Sequence, residues 1–284
     1  MSAADIVSAS LQRSVPTEIR EVASALLSER TGIAAILAYG SCLRGVATTE
    51  SLIDLYVLTE DTQAVSRNLV SRLGCKLIPP NVYYGAFEAD GILYRAKYAV
   101  LPLGRFARGM TQDNPYFWAR FAQPAALVYA ADDQARAHVV SAVTQAARTM
   151  LAAARGLSPL ADVQRLWTDG FNATYATELR PEAASRAAEI VSANLDYYRA
   201  LTASLRDVDP RPANWRARAR RGKLWSLARL GKAAFTFSGG TDYIAWKIER
   251  HTGQRFTPTP WQRRHPFLAG LMMLPTLLKR GAVR

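Results

Sequence analysis

The sequence predicts a mixed α/β domain, then a helical domain, then a basic helical C-terminal segment. Three observations carry this: short apolar runs bounded by turn residues up to about residue 131, Ala/Leu/Arg-rich helical periodicity from Asp132, and positive charge gathered after residue 210. The domains are expected at 1–131, 132–210 and 211–284.

Taken in order, "SVPTEIREVASALLSERTG" has helical spacing and a glycine stop. "IAAILAYG" and "SLIDLYVLTE" read as buried strands. "DTQAVSRNLVSRLG" reads as a helix opened by an aspartate cap and closed by glycine. "NVYYGAFEADGILYRAKYAVL" is two strand-like runs around Asp90-Gly91, a hairpin signal. A short helix in "NPYFWARFAQ" and a strand in "PAALVYA" follow. Helical segments then run on, broken near "GLSP", "ELRPE" and "DVDPRP".

Composition narrows the class. At 284 residues and 49% hydrophobic content the chain can bury a substantial core. Cys42 and Cys75 show neither CxxC nor Cys/His spacing, so a disulfide framework and a zinc site are both unexpected and a reduced setting fits. The N-terminus lacks a basic region followed by an apolar one, and no apolar run reaches the length of a membrane span. Residues 1–209 carry 20 Lys/Arg and 21 Asp/Glu, whereas 210–284 carry 16 Lys/Arg against Asp242 and Glu249 alone. The basic excess therefore calls for an anionic partner for the last quarter.

One carboxylate stands out. Twelve residues separate Gly40-Ser41 from Asp54, which interrupts an apolar strand. Glycine lets backbone N–H groups approach phosphate closely, and a carboxylate in an apolar strand is costly unless paired or metal-bound. Mg²⁺ bridging Asp54 to a triphosphate would compensate it; a salt bridge to Arg44 is the structural alternative. The pattern resembles the nucleotidyltransferases of the DNA polymerase β type, with a Gly-Ser pair followed about ten residues on by a strand aspartate. Most of that superfamily has a second carboxylate two residues later, on the same face, where this chain has Tyr56. Glu60, Asp61, Glu88 and Asp90 are the candidates for a replacement.

A narrower resemblance covers most of residues 36–195 and the end. "AYGSCLRG", "SLIDLYVLTED", "NVYYGAFEADGILYRAKYAVL", "FWARFAQPAALV", "TYATELRPE" and "MMLPTLL" follow one another as in the mitochondrial-type CDP-diacylglycerol synthases, the family of the translocator assembly and maintenance protein. The shared elements include Val-Tyr-Tyr at 82–84, Lys-Tyr-Ala-Val at 97–100 and Arg-x-x-x-Pro at 120–124, while 213–264 has no counterpart. In that family, too, the strand aspartate is followed by apolar or aromatic residues. The resemblance implies a peripheral, Mg²⁺-dependent phosphatidate cytidylyltransferase. It would join CTP to phosphatidic acid at the cytoplasmic face of a bacterial inner membrane. It implies also a polymerase β-type nucleotidyltransferase domain followed by a winged-helix-like one.

On this reading Asp54 is catalytic and the metal ligand, Lys97 is the cation at the reacting phosphates, and Tyr39, Gly40, Ser41 and Arg120 bind nucleotide. For Lys97 the alternative is a lysine at a strand edge with its head in water, and for Arg120 a structural ion pair. Arg44 and Arg95 are weaker candidates of the same kind. Tyr83 and Tyr84 fill the core or stack on the cytosine, and the three histidines receive no chemistry.

The segment "RPANWRARARRGKLWSLARLGKAAF" has eight Lys/Arg, no acid and interleaved tryptophans, the composition of a helix at an anionic lipid surface. Nucleic acid fits less well, because the Leu/Met/Phe runs beside the charges suit acyl chains better than a duplex. Residues 266–278 either insert in the membrane or pack in the core. Two other functions stay open: a nucleotidyltransferase for RNA, a protein or a small alcohol, and a non-catalytic lipid- or nucleic-acid-binding module.

Overall fold

The computed structural model describes residues 1–43, 52–89, 91–179, 184–236, 241–242, 245–246 and 257–264. Two helices come first, α1 (Ala3–Leu11) and α2 (Thr17–Glu29). A reciprocal cap starts α1: Ser2 Oγ accepts from the Asp5 N–H and the Asp5 carboxylate accepts from the Ser2 N–H. The wholly buried strand β1 (Ile33–Ala38) runs into a one-turn 3₁₀ helix at Gly40–Leu43. Then come β2 (Leu52–Thr59), α3 (Leu69–Leu77), β3 (Asn81–Ala89), β4 (Ile92–Pro102), α4 (Leu103–Gly109), α5 (Trp118–Phe121) and β5 (Ala126–Ala130). The remaining described elements are helices: α6 (Asp133–Leu157), α7 (Val163–Tyr175), α8 (Ala184–Ser192), α9 (Leu195–Ser204), α10 (Trp215–Thr236) and a last turn at Pro260–Arg264.

The five strands form one mixed sheet in the order β3-β4-β2-β1-β5. Only β2 and β4 are parallel, with Asp54 opposite Lys97; β3 and β4 form the expected hairpin, Ala89 pairing Ile92 across a two-residue turn in which Gly91 has φ +73°. The expected mixed α/β architecture, its strands and the helices after Asp132 are therefore present.

One boundary differs. The helix expected from Asp61 does not start there, because the Asp61 carboxylate closes a tight turn by accepting from the N–H groups of Gln63 and Ala64. The helix begins at Leu69, with the Asn68 side chain accepting from Val70 and Ser71, and it runs past Gly74.

Alternation places Asp54, Tyr56, Lys97 and Tyr84 on one face of the sheet and Tyr83 and Tyr98 on the other. On the first face Tyr56 packs edge-on to Phe121 of α5 and against Phe106 of α4. On the second, Arg30 from the end of α2 lies over Tyr83. α6 packs on β1 and β5 and carries α7 on its outer side, so one apolar core is continuous from Ala3 to Val208, across the expected boundary at residue 131.

Candidate functional site

The polypeptide leaves β1 at Tyr39, whose N–H donates to the Asp54 carbonyl at 3.3 Å. Gly40 turns the chain with φ +83°, and a Cβ there would lie 3.8 Å from Asp54 Oδ2. The Gly-Ser turn therefore passes directly over the Asp54 carboxylate. From the neighbouring strand Lys97 Nζ reaches Asp54 Oδ1 at 3.2 Å. That oxygen is buried and takes part in no hydrogen bond, so the contact is a Coulombic pairing without donor alignment. Its lone pairs remain free for another cation.

Two residues along β2, the position of the absent second carboxylate is filled by Tyr56, fully buried, whose phenol accepts from Arg120 Nη1 at 2.9 Å. Burial pushes the Tyr56 phenol well up, so it is neutral at physiological pH. The Arg120 guanidinium also lies 5.4 Å from the Tyr39 ring centre and 4.8 Å from that of Tyr116, with Nη2 4.0 Å from Glu178 Oε1. Burial opposes its charge, but the surrounding phenols and Glu178 outweigh burial and hold Arg120 well above its ordinary value. Tyr116 is caught between two guanidiniums, since Arg229 of α10 stacks 3.7 Å from its centre. Burial would raise its phenol, yet Arg120 and Arg229 bring it below the ordinary value.

Of these side chains, Tyr39, Asp54, Lys97, Tyr116, Arg120 and Glu178 line one cavity of about 300 Å³. Every site residue expected from the sequence is in its wall: Tyr39, Gly40, Ser41, Asp54, Lys97 and Arg120. Its far side comes from the helical region, through Glu178 just after α7 and Arg186 of α8. Sequence reasoning missed Tyr116, Glu178 and Arg186. Glu178 stands inside "TYATELRPE" and could have been found there; nothing in the local sequence marks Arg186.

Of the expected replacement carboxylates, Glu60, Asp61 and Glu88 do not reach Asp54. Glu60 and Asp61 follow the opposite end of β2, about 20 Å away at the rise of a strand, in a separate cavity with Lys76 and Arg105. Glu88 is exposed on β3, four residues beyond the Tyr84 that pairs with Lys97, or about 13 Å along the strand. Asp90 and Arg44 lie outside the described residues. Among the described residues the second carboxylate of the cavity is Glu178, which is engaged by Arg120. Arg95 shares the face of Lys97 but has its guanidinium 5.9 Å from the Trp246 ring centre. Tyr83 is buried and stacked on Tyr98 at 5.6 Å, on the face away from the cavity. His138 is exposed on α6, and the other two histidines lie outside the described residues.

A hard cation fits this donor set only in part. Asp54 offers a buried oxygen with free lone pairs, but among the described residues no group of three His, Cys, Asp or Glu side chains could hold a metal. One protein carboxylate completed by substrate phosphates and water is the arrangement Mg²⁺ accepts readily.

The basic helix α10 is folded against the protein. Arg218 donates through Nε and Nη2 to Asp113 Oδ1 at 3.1 and 2.8 Å, and Arg221 donates to Asp113 Oδ2 at 2.6 Å. Lys232 Nζ donates to the carbonyls of Ile78 and Pro80 and to Asn81 Oδ1. With Arg229 on Tyr116, half of the eight cations counted in the sequence face the protein; Arg216, Arg220 and Lys223 stay exposed. Residues 266–278 lie outside the described residues. No described helix is long and apolar enough to cross a membrane.

No protein-family model matches the chain, and no curated protein matches it.

Proposed function

We propose that the protein is a nucleotidyltransferase of the polymerase β type, a phosphatidate cytidylyltransferase that makes CDP-diacylglycerol and pyrophosphate from CTP and phosphatidic acid at a membrane surface. In this reading the helices within 132–210 are the winged-helix-like part. One observation carries the proposal: a Gly-Ser turn folded over Asp54, with Lys97 and Arg120 beside it, all on one cavity.

The reaction forms a bond between a phosphatidate oxygen and the α-phosphorus of CTP and breaks the bond to pyrophosphate. Catalysis is mostly alignment and charge neutralisation, since negative charge accumulates on the transferring and leaving groups. Backbone N–H groups at Gly40 and Ser41 take the triphosphate, where a side chain at residue 40 would intrude. Lys97 leaves Asp54 for the phosphates as substrate enters. Arg120 is held charged by its phenol partners and presents a fixed positive end to the cavity. Arg186, across the cavity, is the cation placed for the second phosphate-bearing substrate. Mg²⁺, held by Asp54 and the triphosphate, would add charge neutralisation that the protein cations alone do not supply.

The test is CDP-diacylglycerol formation by purified protein with Mg²⁺, CTP and phosphatidic acid in mixed micelles, beside Asp54→Ala and Lys97→Ala. Both variants are expected to lose roughly 10²- to 10³-fold in rate. Folded, lipid-bound wild-type protein that makes no product would overturn the reading and favour another acceptor or a binding module.

A further inference from the structure

α3 is nine residues long and carries its apolar residues on the outside. Leu69, Val70, Leu73 and Leu77 are between 58% and 74% exposed, whereas Ser71 and Cys75 are the residues it buries. That spacing is one helical face, presented to solvent. Its polar residues are equally one-sided: Arg67, Arg72 and Lys76 lie in a stretch, 62–87, without an acid. α10 lies alongside: a Cβ at Gly74 would be in van der Waals contact, 3.4 Å, with Lys232 Cδ and Thr236 Cγ2. α10 repeats the pattern, with Leu224, Leu227 and Leu230 between 52% and 66% exposed beside exposed Arg216, Arg220 and Lys223. The two helices meet where Leu77 and Trp225 line a common cavity of about 280 Å³.

We infer that α3 is a second membrane-contact element, which sets its leucines into an anionic bilayer beside α10. Charge complementarity selects this occupant. A row of single leucines flanked by cations, with no acid on either helix, matches acyl chains below anionic headgroups. A nine-residue helix is about 14 Å long, too short to furnish by itself the area of a stable protein interface. The inference rests on the membrane-surface reading above but not on catalysis, because its readout is lipid binding without CTP.

The experiment is flotation of the full chain with vesicles of phosphatidylcholine alone or mixed with phosphatidylglycerol, comparing wild type with Leu69→Gln/Leu73→Gln/Leu77→Gln. These positions are exposed, so the thermal midpoint is expected to hold. Binding to the anionic vesicles is expected to fall at least about tenfold. An environment-sensitive dye on Leu73→Cys, readable because Cys42 and Cys75 are buried, is expected to shift to the blue with anionic vesicles only. Equal flotation of the triple variant, with no dye shift, would overturn the role of α3 and leave the membrane reading to α10. A wild-type dimer that the triple variant abolishes would assign the face to a second copy instead. Wild type that floats with neither vesicle would overturn both readings.

Discussion

Arg120 donates to the Tyr56 phenol at 2.9 Å, on the strand position two residues beyond Asp54. The residue two positions along the strand from Asp54 thus anchors a cation at the cavity. Tyr56→Phe removes the acceptor and leaves a half-buried guanidinium N–H without it. It should lower unfolding stability by about 1–3 kcal/mol and reduce turnover without abolishing it, since Tyr39, Tyr116 and Glu178 still hold Arg120. Chemical denaturation and turnover measured side by side check this; an unchanged midpoint would contradict the role given to the phenol.

Gly40 combines a left-handed backbone with closeness to Asp54. Gly40→Ala should cost about 1–2 kcal/mol in stability through its positive φ. On the proposed function the effect on CTP affinity should be larger, because the new methyl group would stand where the triphosphate is proposed to meet the turn. Calorimetric titration with CTP, set against the thermal midpoint, separates the two. A loss of affinity no greater than the loss of stability would count against phosphate binding at this turn.

The strands were legible because β1 and β2 are buried on both faces and read as continuous apolar runs, and because Asp90-Gly91 marks a two-residue hairpin. The start of α3 was not, because Asp61 and Asn68 are both good caps and only the fold shows which N–H groups each one serves. At the site, Gly40, Ser41, Asp54 and Lys97 were readable because short-range spacing on paired strands brings them together. Tyr116 and Arg186 come from segments brought in by tertiary packing, which no local pattern encodes, and only the run "TYATELRPE" marks Glu178. The charge of α10 was plain in the sequence, but its partners Asp113, Tyr116 and the 78–81 turn lie about a hundred or more residues away.

Asp113 links α10 to the loop ahead of Tyr116 and Arg120. Burial would raise its carboxyl, but hydrogen bonds from Arg218 and Arg221 outweigh that and hold it below the ordinary 3.8. A depressed carboxylate adds stability above its unfolded-state value that is lost as pH falls through the folded one. Acid below about pH 4 should therefore loosen α10, and Asp113→Asn should loosen it at neutral pH by leaving buried Arg218 without its anion. Hydrogen exchange along 215–236 reads this directly, and full protection in the variant would refute it.

Gly222 sets two effects against each other. Within a helix, Gly→Ala favours the helical state by about 1 kcal/mol. Here the new Cβ would stand 2.6 Å from the Thr177 carbonyl oxygen, a backbone atom that cannot turn aside. Overpacking of this kind costs about 1–3 kcal/mol, so the clash should win and Gly222→Ala should lift α10 from the turn that presents Glu178. Faster proteolysis after Arg220 and Lys223, with reduced turnover, is the expected result. Unchanged cleavage would mean that the helix does not bear on that turn.

Lys232 gives a pH dependence of the same sense as that of Asp113, but in an alkaline window. Burial brings its ammonium from 10.5 down to about 8, with Cys75 acting in the other direction. Between those two values the unfolded chain binds the extra proton and the folded chain does not, so this residue's contribution to stability rises with pH across the window. Below about pH 8 the ammonium is charged in both states and is held by Ile78, Pro80 and Asn81 oxygens. Lys232→Met keeps the apolar stem and removes the titrating group. Wild type and variant should converge in their slope of stability against pH below about 8 and part above it, wild type gaining relative to the variant. Parallel curves through the whole window would mean that Lys232 titrates as an exposed lysine, and that the end of α10 is not seated on the 78–81 turn.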